Sequence, residues 1–437
     1  MKRLYALIGC LAFGVATLLA QSKHSPTSCF PAYEGRVMCG YQGWFRAEGD
    51  GSEEGWTHYS ERGPLTASTL HPDFWPDVSE YETTYPTVLT NRDGSVARLF
   101  SSWDQSTTDL HFRWMRQYGI DGVFVQRFFG GTRSRKARLK GRVVLEHALQ
   151  SSRQYNRAIA VMYDLSGLAS QGEDCSCLIQ DWKELVDDLH ITSQGTNQTY
   201  LYHRGKPLVA IWGLGFPDRP YNIRNIGIEK LIDFLKNDPQ YGQCSVMLGV
   251  PAYFRDLKID TNPDPYLHEL LAKADVVMPW MVQRFTPLVH QFDASRYEEQ
   301  VKADLAWCTG RNLDYAPCVC PGFSWFNMHN RHNNEDAAMV YPLNQIPRQK
   351  GRFYWSQISG AVHAKAKMLY VAMFDEMDEA TAIFKCSNTP PEGVRLCDYE
   401  GLPTDHYLWL TGEAGKMLRA EEPFSQVMPT RSTTASR

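Results

Sequence analysis

The chain is predicted to be an α/β protein folded as a single (β/α)8 (TIM) barrel with a long first βα loop over its mouth. Three observations carry this. Eight short apolar runs alternate with segments of helical spacing, the pattern of βα units and a parallel sheet. The runs are Val37–Trp44, Gly122–Arg127, Ala158–Asp164, Leu208–Leu214, Ser245–Pro251, Asp275–Trp280, Pro317–Phe323 and Leu369–Phe374. No glycine-rich dinucleotide or phosphate loop follows any of them, so an open doubly wound sheet has nothing to support it. The last run ends in a burst of carboxylates, and barrel active sites lie at the C-terminal ends of strands.

In chain order, Met1-Lys2-Arg3 and the apolar run to Ala20 read as a signal peptide, residues 1–20: a basic start, then a hydrophobic core too short for a membrane span. A secreted or periplasmic protein is expected, with no stable membrane insertion after signal removal. Leu7-Ile8-Gly9-Cys10 resembles a lipoprotein box, the weaker alternative. Residues 21–35 form a leader, 36–385 the barrel and 386–437 a C-terminal extension packed outside it. Ten of the eleven cysteines lie beyond Ala20, and an exported chain is expected to pair some of them. Cys386 and Cys397, bracketing a Pro/Gly-rich loop, are the best single pair. Cys175-Ser-Cys177 and Cys318-Val-Cys320 have no His at zinc spacing, so no metal and no cofactor is expected.

The net charge of −4, with both signs interspersed, gives no nucleic-acid footprint. Aromatics make up 12%, including 12 Trp and 22 Tyr, and their faces pack well against the apolar faces of sugars, so an oligosaccharide or polysaccharide partner is expected, bound by a monomer.

Between the runs, helices are expected where apolar residues recur every three or four positions. Leu110, Trp114 and Tyr118 line one, capped by Thr108 or Asp109 and ended by Gly119. Ile179, Trp182, Leu185, Val186 and Leu189 line another; Ile228, Leu231, Ile232 and Leu235 a third. Residues 46–106 fit no barrel repeat. A loop this long is expected to be functional, and its Trp56, Trp75 and Trp103 are expected near the mouth. The polar and aromatic residues at the strand ends then form a candidate substrate floor and walls: Tyr41, Gln42 and Trp44, Gln126, Asp164, Tyr253, Trp280 and Trp325, joined by Trp103. The histidines, His58 and His71 among them, have no Ser or Cys elbow to work with.

The most informative stretch is Met368–Ile383, in which Asp375, Glu376, Asp378 and Glu379 fall within five positions. Crowded carboxylates raise one another's pKa, which suits acid/base catalysis. A helical turn there would place Glu376 and Glu379 on one face.

Phe374-Asp375-Glu376-Met377-Asp378-Glu379-Ala380-Thr381 resembles the Phe-Asn-Glu-Trp-His-Glu-Gly-Thr segment of glycoside hydrolase family 99, the endo-α-mannosidase/endo-α-mannanase group. The resemblance implies a barrel glycosidase whose catalytic pair is Glu376 and Glu379. It further implies cleavage of α-linked glycans with retention, Glu376 acting as base toward the sugar 2-hydroxyl and Glu379 as general acid/base. Asp375, Met377, Asp378 and Ala380 depart from the family pattern, so Asp375 and Asp378 are expected to orient substrate or tune the pair, and the sugar is left open. A non-catalytic carbohydrate-binding relative, a glycosidase of other specificity such as pentosides, and a cation site are the alternatives.

Overall fold

The computed structural model describes residues 21–60, 63–169, 172–285, 294–329 and 341–431. The expected signal peptide lies outside them.

Eight parallel strand positions follow one another around a barrel. They are β1 (Val37–Tyr41), β4 (Gly122–Phe128), β5 (Ala158–Asp164), β7 (Lys206–Trp212), β8 (Ser245–Pro251), β9 (Val276–Trp280), a broken seventh position, and β12 (Leu369–Val371). Every residue of β1, β5, β8 and β12 is buried, as expected for strands covered on both faces, which explains their near-continuous apolar runs. The seventh position consists of β10 (Asp314–Tyr315) and β11 (Cys318–Val319). Pro317 has no N–H to give to a ladder, and the strand breaks around it. Its first half pairs with β9 and its second with β12, so the two halves close the sheet. Ala316 N–H donates to Val277 O on one side, and Pro317 O accepts from Tyr370 N–H on the other. The seventh run therefore begins at Asp314, three residues before the expected Pro317.

Helices cover the outside. Gln105–Tyr118 starts after Asp104, one turn earlier than the expected cap, and ends on Gly119 in the left-handed conformation. Ser176–Asp188, Ile228–Asn237, Ala294–Thr309 and Arg352–His363 continue the ring. The helix His406–Leu418 packs between Gln105–Tyr118 and Arg352–His363. It closes the helical ring, so this part of the segment assigned to an extension is the eighth barrel helix. Gly412 makes the approach possible: a Cβ there would lie 1.8 Å from Tyr118 O.

The first loop is a small structure of its own. It contains the antiparallel hairpin β2 (Tyr85–Thr90) and β3 (Val96–Leu99), with Val88 and Val96 exposed. Trp56 and Trp75 are buried in its own packing, and the Arg46 guanidinium lies 5.4 Å from the Trp103 ring. At the mouth the loop is represented by His58, whose ring stacks on Trp44.

All ten described cysteines are free, Cys386 and Cys397 included, a correction to the expected disulfide. Cys386 sits beside Tyr399, and the Cys397 N–H is tied to Asp73 O, so each belongs to separate packing.

Candidate active site

The acid-rich segment after β12 is not a helix. Phe374 N–H donates to Gly40 O, which carries the chain past β1, and the segment then folds on itself through Ala382 N–H to Glu376 O and Ile383 N–H to Met373 O. Met377–Ala380 form a single turn, and that turn rather than a helical face brings Glu376 and Glu379 to one place. Gly40 is required at the crossing, because a Cβ there would lie 2.2 Å from Met373 Cε and 2.4 Å from the Tyr370 hydroxyl. Arg348 clamps the segment from outside by donating to Ala380 O and Ala382 O at 2.8 and 2.6 Å.

Glu376 and Glu379 line one cavity of about 300 Å³ at the C-terminal mouth. Its walls include Gln42, Trp44, Gln126, Asp164, Trp280 and Trp325 from the expected set. Trp44, Trp280 and Trp325 line the cavity together with Glu376, and the first-loop Trp56, Trp75 and Trp103 do not.

Five expected substrate contacts lie elsewhere. Tyr41 is fully buried with its hydroxyl 3.0 Å from His111 Nδ1, so it packs the barrel wall. Tyr253 and Trp103 do not line the cavity. Asp375 is buried behind it and accepts from the Gln42 and Gly43 N–H groups, both at 2.8 Å. It therefore fixes the backbone that carries Gln42 and Trp44. Asp378 accepts from His58 Nδ1 at 2.7 Å, and the His58 ring stacks on Trp44 at 3.9 Å and 7°. These two aspartates hold the walls in place from behind. Farther along the strand ends, Arg127 is tied to Asp181, Arg255 to Asp304 and Arg284 to Asp260, all away from the cavity.

Sequence reasoning missed His58, whose partner is a carboxylate 320 positions away rather than a nearby nucleophile. It also missed Arg219 and Asp218, which line the cavity from a loop beyond the end of β7. Asking only for the first residue past each strand overlooks a loop that turns back. The signal available was an Arg in Gly215-Phe216-Pro217-Asp218-Arg219, directly after a strand ending in Trp212.

The electrostatics of the pair follow from burial. Glu376 is raised well above the usual carboxylate range, first by desolvation and then by the charges of Glu379 and Asp378. Glu379 is raised by desolvation to about 7, opposed by the Trp325 indole and by Arg219. Each charge raises the other's pKa, so the proton losses belong to the pair rather than to either group alone. Burial likewise lifts Asp164 to about 6 against the Ser166 N–H, and Asp375 to about 7 against the Gln42 and Gly43 amides. Neither glutamate nor Asp164 has a cationic partner within 4.0 Å among the described residues. Around them, Gln42 Oε1, Gln126 Oε1 and the indole N–H groups of Trp44 and Trp212 are buried without a hydrogen-bonding partner among the described residues. Buried polar groups are normally satisfied, so a ring of orphans around one cavity points to a polar ligand or ordered water that completes them. No group of three or more His, Cys, Asp or Glu among the described residues is arranged to hold a metal ion.

Two larger depressions lack this chemistry. One of about 440 Å³ at the opposite end of the barrel includes Asp314, which is tied to His203 and Arg204. The other, about 640 Å³, lies between the first-loop hairpin and Ser387, where Asp77 accepts from Thr404.

Fold and site thus define a closed (β/α)8 barrel with a carboxyl pair in an aromatic cleft at its C-terminal mouth. Among solved structures, the fold is similar to that of the family GH99 endo-α-mannosidase of Bacteroides thetaiotaomicron, at a TM-score of 0.60 and 15% identity over 89% of this chain and 99% of that one. The same values hold for that enzyme alone and in complex with bis-tris-propane. A GH5_18 protein from Bifidobacterium longum subsp. infantis aligns at a TM-score of 0.43 and 12% identity over 72% of this chain and 74% of that one. No family model matches the chain, and no curated protein matches its sequence.

Proposed function

We propose that the protein is a glycoside hydrolase that cleaves α-linked glycans with retention, using Glu376 and Glu379 as its catalytic pair. The observation that carries the reading is the pair itself: two mutually repelling carboxyl groups, Glu376 buried and Glu379 half-buried, in one cavity walled by Trp44, Trp280 and Trp325. Unpaired buried carboxyl groups are costly, and in a cleft they mark acid/base chemistry. Likeness of fold to an endo-α-mannosidase makes α-mannans the first substrates to try.

In the route proposed, the Glu376 carboxylate takes the proton of the sugar 2-hydroxyl as O2 attacks the anomeric carbon. The bond to the leaving oxygen breaks, and that oxygen takes a proton from Glu379. Glu379, now ionised, then removes a proton from water as the water opens the 1,2-anhydro ring, and O2 recovers its proton from Glu376. Two inversions give net retention. The first step needs one group ionised and its neighbour protonated, and two carboxyl groups that raise each other's pKa favour that arrangement.

A second distribution of roles has its own support. The Trp325 indole and the Arg219 guanidinium both favour an ionised Glu379, which suits Glu379 as the base and Glu376 as the acid. Activated leaving groups separate the two. An aryl glycoside needs no acid in its first step, so it rescues the variant that lacks the acid and not the one that lacks the base. Rescue of Glu379→Gln alone supports the first assignment; rescue of Glu376→Gln alone reverses it. Wild-type turnover of a 2-deoxy glycoside would sink the 2-hydroxyl route under either.

A further inference from the structure

We propose that the substrate carries an anionic substituent, a carboxylate or a sulfate on the sugar, and that Arg219 selects it. This rests on the glycosidase cleft being the binding site, and it names the class of glycan that cleft takes.

The fourth wall of the cavity is a stack. Arg219 lies with its guanidinium 5.1 Å from the Trp212 ring centre and 5.4 Å from that of Phe216. Trp212 in turn meets Trp280 edge-on, at 5.4 Å and 73°. Gly249 on the adjacent strand makes room for the indole, since a Cβ there would lie 2.5 Å from Trp212 Cδ1. A guanidinium laid on aromatic rings has its plane fixed before any ligand arrives, so its fork of donors is preorganised.

That fork is largely unused. The nearest carboxylate oxygen belongs to Asp218, its own chain neighbour, at 3.9 Å, and the Asp218 side chain is 72% exposed. Elsewhere the described arginines near the strand ends are held by close carboxylates, Arg255 to Asp304 at 3.1 Å and Arg284 to Asp260 at 2.5 Å. Arg219 Nε and Trp212 Nε1, on the two members of the stack, are both buried with no acceptor among the described residues. Two adjacent donors without acceptors call for a ligand group that only accepts, and a guanidinium matches a planar oxyanion in two-point geometry. A neutral sugar hydroxyl accepts as well, but it brings no charge to match the guanidinium.

The carboxyl groups facing Arg219 do not forbid an anion. Asp164 and Glu379 both feel its charge, yet burial holds them up, to about 6 and about 7. In mildly acidic solution they are largely neutral, and the one carboxylate left within 4.0 Å of the cation among the described residues is the exposed Asp218.

The test is binding to α-linked oligosaccharides immobilised as matched pairs, each uronate with its carboxyl-reduced form and each sulfated glycan with its desulfated form. The protein used is Glu376→Gln, which binds without turnover. At least one acidic glycan is expected to bind tenfold or more tightly than its neutral counterpart, and adding Arg219→Gln should erase that preference, so that the two members of the pair bind alike. Arg219→Lys, which keeps charge and loses the fork, should recover only part of it. The uronate and sulfate arms tell the two oxyanions apart. Equal binding of both forms, a preference that survives Arg219→Gln, or failure to bind any acidic glycan overturns the proposal. Turnover is read separately with the wild-type enzyme: an acidic glycan that binds by this pattern and is never cleaved removes the hydrolase reading and leaves the selectivity intact.

Discussion

The two ends of the barrel use the same residue types to opposite effect. At the N-terminal end, Asp121 accepts from the Val37 N–H at 2.8 Å and pairs with Arg419 at 3.1 Å, while Asp275 accepts from the Val246 N–H at 2.8 Å and pairs with Lys236 at 2.5 Å. Asp314 is held by His203 and Arg204 at 2.9 and 2.8 Å. Each carboxylate there stitches a strand start to a cation. At the C-terminal mouth, Glu376 and Asp164 are as buried and Glu379 is half-buried, and none of the three has such a cation among the described residues. The lesson is that pairing, not burial, separates a structural carboxylate from a chemical one. Pairing stabilises the ionised form and fixes it, whereas burial without pairing leaves a proton to give or take.

The largest effects should come from exchanging single atoms at the two ends. Glu376→Gln and Glu379→Gln are each expected to lower kcat by a thousandfold or more on natural substrates while the melting temperature stays level or rises, because a neutral amide replaces a buried, repelled carboxyl. Asp121→Asn should do the reverse: a loss of about 2–4 kcal/mol in denaturant unfolding, as it leaves Arg419 and Arg36 facing each other, with kcat per folded molecule unchanged. A mouth variant that unfolds the protein, or a base variant that abolishes turnover, breaks the comparison.

The pH dependence of stability comes next. Glu379 and Asp375 near 7 and Asp164 near 6 have folded pKa values above those of unfolded carboxylates. Their contribution is fully present below about pH 4 and is lost as pH rises through 6 to 7, since the folded state binds the extra protons. Thermal melts should therefore fall between about pH 4 and 7, and Glu379→Gln should flatten that fall by on the order of 2 kcal/mol.

A smaller effect is expected at His58. His58→Ala leaves Asp378 buried without its donor beside both glutamates, and should lower kcat about tenfold to a hundredfold with KM changed less. His58→Gln, which keeps a donor, should restore part of it, and the acidic limb of the rate profile should move. The smallest contrast is between tryptophans. Trp44→Ala should weaken binding by about 1–2 kcal/mol in a calorimetric titration, whereas Trp103→Phe, away from the cavity, should leave affinity unchanged.

Most of the fold could be read from the chain because its signals are local. Strands buried on both faces must be apolar throughout, so seven of the eight runs announce themselves; the seventh position was displaced because Pro317 interrupts it and the polar Asp314 opens it. The acid burst was legible for the same reason, since like charges packed within five residues need an explanation in any fold. What the sequence could not order was depth. Tyr41 and Trp44 lie three apart after the same strand, yet one is walled in against His111 and the other faces the cavity, a choice made by the neighbouring first loop and β12.

By itself, then, the sequence determined the alternation that makes a barrel and the pair that makes a candidate active site, both encoded over a few consecutive residues. Only the tertiary structure decided that Asp375 and Asp378 serve as braces, that His58 returns from 320 positions away to hold one of them, and that Arg219 lies over Trp212 in the cleft with no carboxylate oxygen nearer than 3.9 Å among the described residues. Each of those depends on which groups meet across loops distant in sequence, and a buried charge takes its role from the partner it finds or lacks.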